Sequence, residues 1–381
     1  MSDDSADTSP VRTTLSSRRD RESLPDALRA LAMLSVLVMN AIGYGVAPWG
    51  HPLGGPPAGP WSAAAQGLAA ALLQGKGYTM LAFVFGMALW LAARGRPRAQ
   101  VLQRGIVRHR RMLQLGVLHG VFIYFGDILT MYALVGRRLL RRLHVPWKAF
   151  RRHLRTALVW ALLAKAVLVA MMLSPPVPPN VEVQGTLGSV VGLAAFLRAN
   201  AGTYLVGQVM ALVIAAPVIH LCMLAGVAAA RLRLLTHRRW RAALRRYVAR
   251  AAAILLVPTL LYGWASATWA PTDPLRAWLD ALGDLIALPL ATVYLAALGL
   301  ASAGGTAAWC RRLVPLGQRT LTLYVLHGVL CVALFSGIGL ALQPSAAQMV
   351  AYCLALWSLA WVAAALSGGR RWPLEAWMAR R

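Results

Sequence analysis

The sequence predicts an all-α fold: a polytopic integral membrane bundle of about ten transmembrane helices. Three observations lead there. Hydrophobic residues make up 59% of the 381 positions, above the apolar share of an ordinary soluble domain. The same chain carries 39 Lys and Arg against 12 Asp and Glu, a net charge of +27. That charge falls in blocks between apolar runs of about 20 residues, which is how a membrane protein reconciles the two. A nucleic-acid binder would share the charge but not the runs, so no nucleic-acid partner is expected. The four cysteines, Cys222, Cys310, Cys331 and Cys353, lie in or beside apolar runs without CxxC spacing. Neither a disulfide framework nor a metal site is expected from them.

Taken in chain order, residues 1–24 are polar and read as a disordered tail. The apolar run that follows is too long for a signal peptide and lacks a cleavage site. Stretches able to cross a ~30 Å hydrocarbon core lie at 26–47, 68–93, 112–126, 127–143, 157–174, 202–230, 251–270, 282–303, 318–339 and 347–367. The third and fourth are short and meet at "FGD", so they read as a tight hairpin or one re-entrant element.

Charge orients these spans. The stretches 94–111, 137–155 and 231–250 hold seven, eight and eight Arg or Lys, whereas 48–61 has none, 175–201 only Arg198 and 271–281 only Arg276. Ten spans put every basic stretch and both termini on one side, which the positive-inside bias makes the cytoplasm. The basic stretches also read as amphipathic surface helices. They serve either anionic lipid head groups or the guidance of an anionic cytosolic substrate.

Ionisable or polar residues inside spans carry the functional reading, because keeping them there is costly. They are Arg29, Asn40, Lys76, His119, Asp127, Lys165, His220, Asp284 and His327. His119 and His327 each sit in a "VLHGV" repeat about eight residues into a helix, on the order of 12 Å deep. They either face a common cavity or make one interhelical hydrogen bond each. Eight residues of helix would separate Asp127 from His119 by ~12 Å and ~80°, so direct contact is not expected. Lys76, in the outer part of span two, is the expected partner of Asp127 at the external face. Lys165 needs a partner or a wet cavity.

The pieces "ALRALAMLSVLVMN", "KGYTMLAFVFGMAL", "GVLHGVFIYFGDILTMYALVG", "LGQRTLTLYVLHGVL" and "RRWPLEAWMARR" resemble the YeiB-type bacterial membrane proteins, whose C-terminal half is domain of unknown function 418. The resemblance divides the chain into the tail, an N-terminal transmembrane region at 25–200 with acyltransferase-like motifs, and a C-terminal region at 201–381. Its HG…GDIL…Y pattern falls on His119, Gly120, Gly126, Asp127, Ile128, Leu129 and Tyr132. The family usually has glutamine in place of His327, which leaves His119 as the stronger histidine. The family is grouped with transmembrane acyltransferases such as heparan-glucosaminide acetyltransferase. In that enzyme an R-x10-N-x10-H arrangement places the acyl-transfer histidine last; here it falls on Arg29, Asn40 and His51. YeiB-type relatives commonly lack a histidine at the position of His51.

The resemblance therefore implies a catalytic set of His119, Asp127, His51 and Asn40, with Arg29, Lys76, Tyr132 and Arg319 holding substrate. Histidine supplies a base near neutrality, and Asn40 or Arg29 supplies donors for an oxyanion. The expected reaction moves an acyl group from cytosolic acyl-CoA, as co-substrate, to a sugar, lipid or secondary-metabolite acceptor. Membrane lipids are expected partners and a homodimer is left open. Two other functions stay open: a transporter with a His/Asp/Lys polar path, and a non-catalytic accessory protein. The absence of nucleotide-binding, HExxH and GxSxG motifs argues against ATP-driven and hydrolytic readings.

Overall fold

The computed structural model describes residues 12–45, 59–174, 192–270, 273–302 and 307–380. The described residues contain α-helices and no strand. The helices are α1 (Arg12–Gly45), α2 (Pro60–Leu72), α3 (Lys76–Ala93), α4 (Arg98–Phe122), α5 (Leu129–Leu140), α6 (Trp147–Leu173) and α7 (Leu193–Val213). They continue with α8 (Ala215–Leu232), α9 (Arg241–Thr268), α10 (Pro274–Ala301), α11 (Ala308–Gly317), α12 (Thr320–Phe335), α13 (Ala346–Leu366) and α14 (Pro373–Ala379). Helix α1 begins at Arg12, inside the segment expected as a disordered tail.

Among the described residues seven helical stretches are long and apolar enough to cross a membrane, and the α11–α12 pair, bent by 61°, makes an eighth if taken as one span. These eight overlap eight of the ten expected spans. The remaining two form the α4–α5 hairpin. Its second arm has 12 residues, about 18 Å of helix, which is too short for a ~30 Å core. The outer faces of α6, α9 and α13 expose Trp160, Leu162, Ile254, Leu260, Leu359 and Leu366. An apolar belt of that extent belongs in lipid rather than water.

The core runs along α1, which packs against α3, α11, α12 and α13. Helices α3 and α8 cross so closely that a β-carbon on Gly226 would overlap the Phe83 carbonyl. Small residues at the crossing are what allow backbones this near each other inside a membrane. The three basic stretches meet at one end. His144 Nε2 lies 3.3 Å from the Arg96 carbonyl, and Arg231 donates to the Leu143 and Val145 carbonyls. They are not separate surface helices: the first is the opening half of α4, the second ends α5 and begins α6, and the third leads into α9.

Breaks in the helices expose backbone groups that the sequence supplies with partners. Between α2 and α3, Ser35 Oγ donates to the Leu73 carbonyl at 2.9 Å, and Lys76 Nζ donates to the Ala70 carbonyl at 3.1 Å. Lys76 also stands 5.9 Å from the Tyr262 ring centroid. The expected Lys76–Asp127 pair is therefore not made. The ammonium instead donates to the open end of α2, where a carbonyl without a partner in an apolar layer would be costly. The single span expected at 202–230 is broken at Ile214, where α7 ends and α8 starts. Pro217 accounts for this: its ring clashes with the carbonyl of Val213, four residues earlier, and offers no N–H.

The C-terminal segment is pinned to the bundle. The Glu375 carboxylate accepts from the backbone N–H groups of Leu321 at 2.9 Å and Thr322 at 3.0 Å, capping the first turn of α12. Arg319 donates to the Arg370 carbonyl at 2.6 Å, and Arg111 donates to the Trp377 and Arg380 carbonyls. A charged cap at a helix N-terminus is worth about 1–2 kcal/mol. Glu375→Gln is thus expected to lower the thermal midpoint in detergent and speed proteolytic release of the tail. Unchanged tail cleavage would contradict this docking.

Candidate functional site

Helix α4 ends at Phe122 within the bundle, and the chain turns through residues 123–128 before α5 begins. The carbonyls released there need donors. His119 O accepts from the N–H groups of Ile123 and Tyr124, at 2.9 and 2.8 Å. Asn200 Nδ2 donates to the Gly120 and Val121 carbonyls at 2.8 and 2.7 Å, and its Oδ1 accepts from Phe125 N at 2.9 Å. Tyr44 Oη donates to the Ile123 carbonyl, and Gln208 Nε2 donates to the Asp127 carbonyl at 3.3 Å. Tyr204 Oη lies 2.9 Å from Thr130 Oγ1. Asn200, Tyr204 and Gln208 recur every four residues on α7, so one face of that helix supports the whole turn.

The turn brings Asp127 back against α4. His119 Nδ1 lies 3.2 Å from Asp127 Oδ1, with both side chains almost fully buried. This corrects the expectation that the two residues stay apart. The estimate of ~12 Å assumed continuous helix from 119 to 127, and the helix stops after three residues. Asp127 Oδ2 accepts from Thr130 N at 2.8 Å, while Tyr324 Oη donates weakly to Oδ1 at 3.4 Å. The Tyr324 ring lies 4.6 Å from the imidazole, centroid to centroid.

The geometry around His119 is unusual for a packing histidine. Neither ring nitrogen makes an in-line hydrogen bond, although both are buried. The 3.2 Å contact to Asp127 is an ion-pair approach without hydrogen-bond alignment. Nε2 faces Gly328, where a β-carbon would come within 2.7 Å, so only glycine leaves the ring its place. A buried polar atom without a partner is rare and calls for a reason.

Beside this pair is a cavity of about 390 Å³ among α1, α3, α5, α7 and α8. Asp127 and Asn40 both line it, together with Ser35, Tyr78 and Gln208. His119 and His327 are not among its lining residues, so the structure gives the two histidines no shared cavity there. His119 sits against Tyr324 and Gly328. His327 instead reaches the Leu37 backbone, lies 3.5 Å from Cys331 Sγ and stacks on Tyr352 at 5.8 Å.

The other expected site residues are dispersed. Arg29 pairs with Asp26 at 2.8 Å and donates to the Gly317 carbonyl at 3.3 Å. Arg319 is buried on the Pro315 and Arg370 carbonyls, and Tyr132 donates to the Tyr78 carbonyl. His51 lies outside the described residues. Lys165 finds its partner in Asp284 of α10, with Nζ 2.6 Å from Oδ2. Sequence reasoning passed over Tyr324, although it stands four residues before Gly328 on one face of α12. It also passed over the Asn200-x3-Tyr204-x3-Gln208 stripe, whose spacing was readable.

Residues 229–379 match the family described as "Protein of unknown function (DUF418)". The match covers α9 to α14, and so includes Tyr324, His327 and Asp284 but neither His119 nor Asp127. No curated protein matches the chain.

Proposed function

For a chain that belongs, through its C-terminal region, to the DUF418 family of unknown function, we propose a membrane-embedded acyltransferase. It moves an acyl group from cytosolic acyl-CoA to a hydroxyl or amine of a sugar, lipid or small-molecule acceptor. The observation that carries this reading is the His119–Asp127 approach at 3.2 Å beside a cavity lined by Asp127 and Asn40. The pair acts as one proton acceptor. Asp127 lines the cavity, its carboxylate packed beneath the wall against His119, which takes up the positive charge. As the acceptor heteroatom bonds to the thioester carbonyl carbon, its proton passes to the pair. The carbon–sulfur bond then breaks, and the departing thiolate receives that proton. Asn40 donates its amide N–H to the oxygen that becomes negative in between.

The test is release of free thiol from acyl-CoA by the detergent-purified protein, followed with a chromogenic disulfide. Wild type releasing thiol at rates that Asp127→Asn abolishes supports the reading. No release with any acyl-chain length and a broad panel of acceptors would defeat it.

In this reading the arginine-rich end faces the cytoplasm of a bacterial cell, with both termini on that side. The four native cysteines are all buried, which favours labelling of introduced ones. A cysteine at Gln100 is expected to react with an impermeant maleimide only after permeabilisation, and one at Gly55 from outside. Reversed access at either position would overturn the orientation.

The Lys165–Asp284 pair favours one alternative, a transporter with a charged path through the apolar layer. Counterflow of a labelled solute in proteoliposomes, lost in Asp284→Asn, would select it over acyl transfer.

A further inference from the structure

A cavity of about 490 Å³ opens at the arginine-rich end, between the end of α3, the α5–α6 loop and the end of α8. Arg94, Arg96, Arg231 and His144 line it with Trp90 and Trp147, and among the described residues no acidic one does. Arg231 is fixed in place. Its guanidinium lies 4.5 Å from the Trp90 ring centroid and 4.4 Å from that of Phe150, and its Nε is buried without a partner. Arg94 and Arg96 are exposed on either side of Gly95, whose φ of 73° lets the chain reverse there.

A second cavity, of about 370 Å³, is lined mainly by apolar side chains, Phe83, Leu154, Leu158, Leu221 and Ala225 among them, with Thr79, Arg155 and Thr292 at its wall. The two are in register. Trp90 and Phe83 are seven residues apart on α3, Trp147 and Leu154 seven apart on α6, and Leu232 and Ala225 seven apart on α8. Seven residues is just under two turns, so each pair shares a helix face with an axial separation of about 10 Å. The same three helix faces therefore carry a cationic recess and, one and a half to two turns deeper, an apolar one.

We infer that these two recesses together bind one anionic glycerophospholipid, its phosphate on Arg94, Arg96 and Arg231 and an acyl chain in the apolar groove. The charge selects an anion, and the groove selects an apolar chain attached to it. A glycerophospholipid joins phosphate to acyl chain through glycerol alone, which suits so short a separation. A coenzyme A thioester interposes its long pantetheine arm. Trp147, 38% exposed at the mouth, stands where indoles meet lipid head groups. The membrane itself supplies this ligand, and the site is separate from the His119–Asp127 cavity.

The test uses the full chain in nonionic detergent, offered equal phosphatidylglycerol and phosphatidylcholine of matched chains, with retained lipid counted by native mass spectrometry. Wild type is expected to retain phosphatidylglycerol preferentially, and Arg94→Gln/Arg96→Gln to lose that retention by roughly tenfold. Arg245→Gln/Arg246→Gln removes equal charge from exposed positions on α9 and is expected to behave as wild type. Three results would overturn the proposal: full retention in the first double variant, an equal loss in the second, or displacement of the lipid by equimolar coenzyme A or acyl-CoA. Equal retention of the two lipids by wild type would also overturn it.

Discussion

His119→Gln is expected to reduce acyl transfer by roughly 10²–10⁴-fold, the range over which a positioned acid–base group acts, while insertion and chromatographic behaviour stay normal. The structure separates the chemical role from a packing one. His119 makes no in-line hydrogen bond that the substitution would forfeit. Glutamine fits a similar volume and can donate to Asp127, but it cannot take up a proton. His327→Gln is the matched control: that ring contacts Leu37, Cys331 and Tyr352, whereas the Asp127 carboxylate meets His119, Thr130 and Tyr324. It is expected to keep near wild-type activity. A silent His119→Gln, or equal damage from both, would reduce His119 to a packing residue and return attention to His51.

The second large effect concerns stability. Lys165→Met is expected to cost about 3–5 kcal/mol, because it leaves the Asp284 carboxylate without its cation among apolar helices. The double variant Lys165→Met/Asp284→Leu is expected to recover most of that loss, since replacing both members removes the desolvation cost with the attraction. Thermal unfolding in detergent reads both. A double variant no better than the single one would mean that the pair positions α6 against α10 by more than charge.

The eight helical stretches that satisfy the length of a membrane were legible because hydropathy and charge vary together along the chain, and both act over whole spans. Lys165 was legible as a residue in need, and Asp284 as an intramembrane candidate, but their pairing was not: 119 residues separate them, and no local period links them. The His119–Asp127 approach was misread for a definite reason. Helical rise was applied across a point where the helix ends, and the signals of that end, Gly126 and Asp127, lie beyond it rather than at it. Lys76 was paired with Asp127 because both were placed at the external face, whereas the open carbonyl of Ala70 claims it. The Asn200, Tyr204 and Gln208 stripe had a clear period of four. It went unread because Asn200 fell in an expected loop, ahead of the span 202–230 that held the other two, and that span was judged by hydropathy alone.

The dependence of the α4–α5 turn on α7 sets an order of events during synthesis. The carbonyls of Gly120, Val121 and Asp127 are satisfied by Asn200 and Gln208, about eighty residues later in the chain. A ribosome adding roughly 5–20 residues per second delivers them on the order of ten seconds after the turn emerges. Until then the hairpin cannot rest in lipid, because its open backbone has no donors there. It must wait in the insertion machinery or at the water interface, and enter the bundle when α7 arrives. Truncations ending before residue 200 should therefore leave the turn accessible to water, and those extending past 215 should bury it.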